Sequence, residues 1–247
     1  MNSFFKCIFV AALLMAPAFL CGSDHKDKKS AGASKVWDSG SFGIFMNGKR
    51  IGTEKFQIEQ GSDVNIATSE IKVEDGNYRA TQSAEMQINS KGELRSYVWR
   101  STSPKKEESS VEPKDQLLVE HIVPADQKKQ DVPHILPLST VILDDNFFSQ
   151  RELLVLRYLA TGCVWKPNEG RMCGPSHFGI LVPQQHSAGE AVMDLLGRDR
   201  ITVKGQEREV NKLKLDTDGT TWTLWVGDDF KVLKMAVPSS NVEVVRD

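Results

Sequence analysis

The sequence predicts a mainly β protein: a large, curved antiparallel sheet (a half-barrel or β-spiral) wrapped around one amphipathic α-helix. Three observations predict it. Period-two alternation of apolar and polar residues recurs along most of the chain, and a single segment near residue 150 carries a helical apolar stripe. The length of 247 residues with 40% hydrophobic content is enough for a sizeable core. An all-β sandwich with a peripheral helix is the alternative arrangement of the same elements. Lys+Arg number 31 against 33 Asp+Glu, a formal net charge of −2. That balance excludes a strongly basic nucleic-acid binder, and the apolar content excludes a disordered chain.

The first residues read as an address. Lys6 precedes an apolar run from Cys7 to Leu20, too short for the roughly 20 residues of a membrane-spanning helix. Ala16, Pro17 and Ala18 supply a small-x-small cleavage pattern, so residues 1–18 are expected to be a signal peptide and the product periplasmic or secreted. Cys21 raises a second reading, acylation and a lipid anchor. The bulky Phe19 and Leu20 stand where a lipoprotein signal wants small residues. Residues 23–34 are small and charged, and 19–35 read as a flexible linker, with His25 in its solvated part.

In an oxidising compartment Cys163 and Cys173 are expected to pair, because Pro167, Asn168 and Gly170 between them let the chain reverse. No Cys-x-x-Cys spacing or histidine cluster points to a redox or metal pair.

Residues 36–247 form one β-rich domain in this reading. Phe42, Ile44 and Met46 alternate up to Asn47-Gly48, a strong hairpin signal, and Ile51, Phe56 and Ile58 lie on the return strand. Asp75-Gly76 marks a second hairpin. Tyr78, Ala80, Gln82, Ala84, Met86 and Ile88 then share one face of the clearest strand. Ser90-Lys91-Gly92 turns the chain into a strand at 94–100. Residues 101–115 and 125–131 are polar and read as exposed loops around a short strand at 117–123.

One helix is predicted at about 145–161, with Asp144 or Asp145 as its cap and Gly162 as a left-handed stop. Phe147, Phe148, Leu154, Val155, Tyr158 and Leu159 fall within one stripe about 140° wide, while Ser149, Glu152 and Arg157 lie outside it. Strands return at 178–182, 201–203, 210–215, 221–226, 230–237 and 242–245. Residues 188–198 read as strand or irregular structure, because Gly189 and Gly197 oppose a long helix. About a dozen short strands result.

Catalytic and cofactor motifs are missing: no nucleophile elbow, phosphate loop, dinucleotide fingerprint or His-Glu-x-x-His. His121, His134, His177 and His186 have no ligand spacing, and His121 reads as a half-buried strand residue. Asp144-Asp145 and Asp228-Asp229 are adjacent acids, explained more simply by capping and turns than by glycosidase chemistry. No catalytic residue, metal or cofactor is therefore assigned. Trp222 and Leu224 share a strand face, with Trp225 on the other. Ordinary core packing explains this; the functional reading makes Trp99, Phe148, Tyr158, Trp222, Leu224 and Trp225 the lining of a hydrophobic groove.

Three phrases carry a resemblance: residues 45–52 (FMNGKRIG) leading into 54–56 (EKF), residues 142–148 (ILDDNFF), and the end, from 224–226 (LWV) through 233–234 (LK) to 241–246 (NVEVVR). Together they resemble a group of uncharacterised exported bacterial proteins, from about Trp37 to the C-terminus. The hairpin also resembles envelope domains similar in layout to the lipoprotein carriers LolA and LolB and to β-spiral envelope proteins. That resemblance implies a half-open barrel with a helix in its mouth, able to hold an acyl chain. It carries over no catalytic residue, and the Cys163–Cys173 segment is not an expected shared feature.

The sequence-based expectation is a non-enzymatic envelope protein whose curved sheet binds a lipid, lipoprotein or other hydrophobic ligand, with peripheral membrane association and no nucleic acid. The alternatives are an envelope scaffold docking proteins through a sheet edge or the two polar stretches, and a hydrolase of envelope polymers.

Overall fold

The computed structural model describes residues 34–125, 128–167 and 170–247. The signal peptide, Cys21, His25 and nearly all of the 19–35 linker lie outside the described residues. Asn47 and Gly48 both take positive φ, 52° and 76°, the geometry of a tight two-residue hairpin whose twist suits its strands. This turn joins β1 (Lys35–Met46) to β2 (Lys49–Gln60). The meander continues through β3 (Val64–Asp75), β4 (Tyr78–Asn89), β5 (Leu94–Ser103), β6 (Glu107–Lys114), β7 (Leu117–Val123) and β8 (Gln130–His134). Each strand pairs antiparallel with the next. Ala80, Gln82, Ala84 and Met86 of β4 point inward and are buried, as the alternation predicts.

After β9 (Val141–Ile142) come the helix α1 (Ser149–Thr161) and a small hairpin, β10 (Cys163–Lys166) and β11 (Gly170–Cys173). A second meander follows: β12 (Ser176–Val182), β13 (Ser187–Val203), β14 (Gln206–Thr217), β15 (Thr220–Val226), β16 (Val232–Val237) and β17 (Val242–Arg246). Antiparallel pairing of β17 with β1 zips the two meanders into one 15-stranded sheet with β8 at one end and β9 at the other. Among the described residues no helix is long and apolar enough to cross a membrane.

The sheet curves around α1, and the helix's bonds trace the curve. Ser149 reaches Glu54 on β2, Gln150 reaches Tyr97 on β5, and Arg157 Nη1 donates to the Gly92 carbonyl in the β4–β5 turn. From the other meander, the Val232 N–H and the Arg246 guanidinium both donate to Glu152, and the Leu195 N–H donates to the Tyr158 hydroxyl. One hydrophobic cluster unites both meanders with Phe147, Phe148, Leu154, Val155 and Tyr158. The wrapped-helix arrangement therefore holds, and the sandwich does not.

Several expectations need correction. Residues 101–115 are mostly strand: β5 runs to Ser103 and β6 occupies 107–114. Their alternation escapes a hydrophobic pattern because an inward position is Ser109, whose hydroxyl donates to buried Glu120. The loop reading also fails at 130–131, which open the edge strand β8. At 188–198 the strand alternative is the one found: these residues belong to the long strand β13, with a bulge between Leu195 and Gly197.

The helix starts at Ser149, not near 145, and Asp144 and Asp145 do not cap it. Ser149 and Glu152, placed by the apolar stripe outside the buried face, are buried with Gln150 and Arg151. Gly162 closes the helix at φ −97°, a right-handed conformation. Its glycine serves close approach instead: a Cβ there would lie 2.2 Å from Ser176 Oγ and 3.0 Å from the Tyr158 ring.

Cys163 and Cys173 sit directly opposite each other in the β10–β11 hairpin, with Cα atoms 4.1 Å apart, and form a disulfide.

Candidate functional site

The first turn of α1 is built from polar residues held inside the sheet. Its N-terminal donors need partners, and the helix has no side-chain cap of its own. Glu54 supplies the cap from across the barrel. It occupies the same inward parity of β2 as Phe56 and Ile58 and is fully buried. The Phe148 N–H donates to its Oε2 at 2.8 Å, the Ser149 N–H to its carboxylate at 3.2 and 3.3 Å, and the Ser149 and Ser69 hydroxyls to its Oε1 at 2.7 and 2.8 Å. Burial pushes the Glu54 carboxyl above its ordinary value even against these donors.

Asp144 lies beside this turn. The Tyr97 hydroxyl donates to Asp144 Oδ2, and the Gln184 N–H donates to Oδ1 at 2.9 Å. Burial raises the Asp144 carboxyl to about 7. Arg151 Nη1 donates to the Asp144 and Phe147 carbonyls at 3.0 and 3.2 Å. Its guanidinium carbon stacks 4.3 Å from the Trp222 ring centre and 5.4 Å from that of Phe148. Burial draws the Arg151 pKa down to about 10.

On the other side of the helix, Arg246 Nη2 bridges Glu152 at 2.5 Å and Asp38 at 2.8 Å, and Lys231 Nζ lies 2.9 Å from Asp38. Burial, reinforced by Asp38, raises the Glu152 carboxyl to about 9. Burial works on Asp38 too, but hydrogen bonds to Glu152, Arg246 and Lys231 hold it below its ordinary value. Burial and pairing thus shift the two carboxyls in opposite directions, Glu152 up and Asp38 down. These groups tie the helix to both meanders, with Arg151 Nε and Glu152 Oε1 left buried without a hydrogen-bond partner.

An open cavity of about 360 Å³ lies above the helix N-terminus, within the ordinary size range of ligand sites. Ile44, Met46 and Ile51 line it from the first hairpin, Ile71, Val73, Tyr78 and Ala80 from the second, and Val237 and Val242 from β16 and β17. Phe148 and Trp222, with ring centres 6.1 Å apart, form its inner wall. Gln82 and Asn146 add an amide cluster shared with Gln184: Asn146 Nδ2 and Gln184 Nε2 both donate to Gln82 Oε1, at 3.4 and 3.1 Å. Tyr78 is 52% exposed and Met46 37%, so the cavity opens through apolar side chains. At the helix's other end a second cavity of about 310 Å³ runs between Trp37, Ile58, Ile88, Leu153 and Leu156.

Of the groove residues expected from the sequence, the structure brings only Phe148 and Trp222 together at a cavity. Trp99, Tyr158 and Leu224 are buried in the common core. Tyr158 is held there by donating to the Gly174 carbonyl and accepting from the Leu195 N–H. Trp225 lies on the outer sheet face among Ile201, Val203, Val210 and Leu233, its indole N–H donating to Asp199. The missed lining residues sit at hairpin ends, where alternation gives way to turn chemistry. Glu54 had one legible signal, a charge at an inward position of an otherwise apolar alternation. The adjacent acids do not converge: Asp144 is buried and Asp145 exposed, while Asp228 pairs outward with Arg198. Among the described residues no group of three or more His, Cys, Asp or Glu is placed to hold a metal ion.

No protein-family model matches the chain, and no curated protein matches it. A solved structure does resemble it: the β-barrel-like protein of domain of unknown function DUF1849 from Brucella abortus, with a TM-score of 0.51 and 6% identity. The match covers 85% of this chain and 94% of that one and shows a likeness of fold alone, a β-barrel-like curved sheet.

Proposed function

We propose that this is a non-enzymatic exported protein that binds the apolar chain of an amphiphile in the cavity above the helix N-terminus. The observation that carries the reading is the cavity itself: about 360 Å³, walled by Phe148, Trp222 and the apolar hairpin ends, and open at one side. The middle of the sheet's interior is filled by α1 and its packing partners, so a guest sits at a mouth, not along the barrel axis. The signal-like N-terminus and the Cys163–Cys173 disulfide favour export to an oxidising compartment. The likeness in layout to lipoprotein carriers accords with an acyl chain as guest, and apolar side chains around the opening suit loading at a membrane surface.

The test uses the uncharged fluorescent probe N-phenyl-1-naphthylamine. Val73→Trp, which fills the cavity from a half-buried position, is expected to weaken binding at least tenfold. Leu156→Trp, in the cavity at the other end, is expected to leave it unchanged. Absence of probe binding, or loss only in L156W, contradicts the proposal.

A further inference from the structure

The ionisable side chains that line this cavity with a formal charge are both acidic. Asp75 ends β3, Asp145 precedes the helix, and no lysine or arginine lines the space. Two cations lie nearby. Lys49 Nζ pairs with Asp75 itself at 3.4 Å, but with the lysine side chain 69% exposed the pair is weak and solvent-screened, and Lys49 does not line the space. Arg151 is buried against the Trp222 ring, its Nη1 bonded to two main-chain carbonyls. Asp145 accepts from the Gln185 side-chain amide and has no ion pair among the described residues. Beside these carboxylates the amide nitrogen of Asn146 points into its own cluster, toward the oxygens of Gln82 and Gln184. The second cavity differs: Lys91 and Arg157 line it with a single acid, Glu59.

An amphiphile seated with its chain against Phe148 and Trp222 would bring its head to this acidic rim. We infer that the cavity selects amphiphiles with a cationic head over those with an anionic head of equal chain length. The inference rests on the apolar-ligand reading and adds the head-group class to it. Attraction between a bound ammonium and rim carboxylates is screened by salt, so the preference belongs to low ionic strength.

Three twelve-carbon probes test it, each used below its micelle concentration to displace N-phenyl-1-naphthylamine at about pH 7.5: dodecyltrimethylammonium, dodecanoate and uncharged 1-dodecanol. The expected result is half-displacement by the ammonium at roughly tenfold lower concentration than by dodecanoate, shrinking as salt rises through about 0.5 M. D75N/D145N is expected to bring the two charged probes within about twofold. Dodecanoate displacing as well as the ammonium, or a preference that survives D75N/D145N and high salt, overturns the head-group inference while displacement by dodecanol leaves the apolar-ligand reading standing. Failure of all three probes overturns both.

Discussion

Glu54 shows how one residue can connect distant parts of this fold. A carboxylate on β2 takes the place of the missing N-cap, accepting from two N–H groups and the Ser149 hydroxyl at the start of α1 and from the Ser69 hydroxyl on β3. Glu54→Ala would strand those donors in a buried site and remove the acceptor at the positive end of the helix dipole. The expected cost is about 3–5 kcal/mol in urea denaturation. Glu54→Gln keeps one acceptor oxygen and is expected to cost about 1–2 kcal/mol. Asp144 gives a prediction in pH. Its carboxyl stands at about 7 in the folded protein against an ordinary 3.8. Between those values the folded state holds a proton that the unfolded chain releases. The Asp144 contribution to stability is thus complete below about pH 4 and is lost as pH rises through 7. Stability of the native sequence should fall across that window relative to D144N, by no more than about 4 kcal/mol, measured as the difference between the two pH profiles.

At the scale of elements, the hairpin after the helix is stapled by its disulfide. C163A/C173A should lose roughly 2–3 kcal/mol of thermal stability through the freed loop entropy, leaving the far-ultraviolet circular dichroism of the large sheet unchanged. Elements were legible in the sequence wherever local rules govern them. Asn47-Gly48 specified its turn, β4 its alternation, and Cys163 and Cys173 their pairing. Elements were obscured where burial is polar. Ser109 faces inward on β6 but bonds to Glu120, so that strand carries no apolar stripe. The first helical turn exposes nothing although it reads Ser-Gln-Arg-Glu, because Glu54, Tyr97, Trp222 and Arg246 meet those side chains from strands far away in the chain. No window centred on the helix contains those partners. The cavity was half legible for the same reason: Phe148 and Trp222 announced themselves as large aromatics, whereas Met46, Ile51, Val73 and Val242 become a wall only when two meanders meet.

Taken together, the described residues form two antiparallel meanders zipped by β1 and β17, with the helix contributed by the connection between them. Opposite that zipper, β8 and β9 end the sheet without pairing to each other. Side chains bridge this region instead. Buried Glu120 on β7 lies 3.0 Å from His134 Nε2 on β8 and 2.8 Å from His186 Nδ1 in the β12–β13 connection. Gln184 of the same connection reaches Gln82 on β4. Pro133 blunts the β8 edge by removing a donor, which disfavours strand addition by a protein partner there. The interior is filled by the protein's own helix, and space for a guest remains at the mouths. Methyl NMR resolves that claim residue by residue. Titration of an Ile- and Val-methyl-labelled sample with 1-dodecanol is predicted to shift Ile44, Ile51, Ile71, Val73 and Val242 together, leaving Ile58 and Ile88 at the other cavity unmoved. Shifts confined to Ile58 and Ile88, or no shifts at saturating dodecanol, would contradict it.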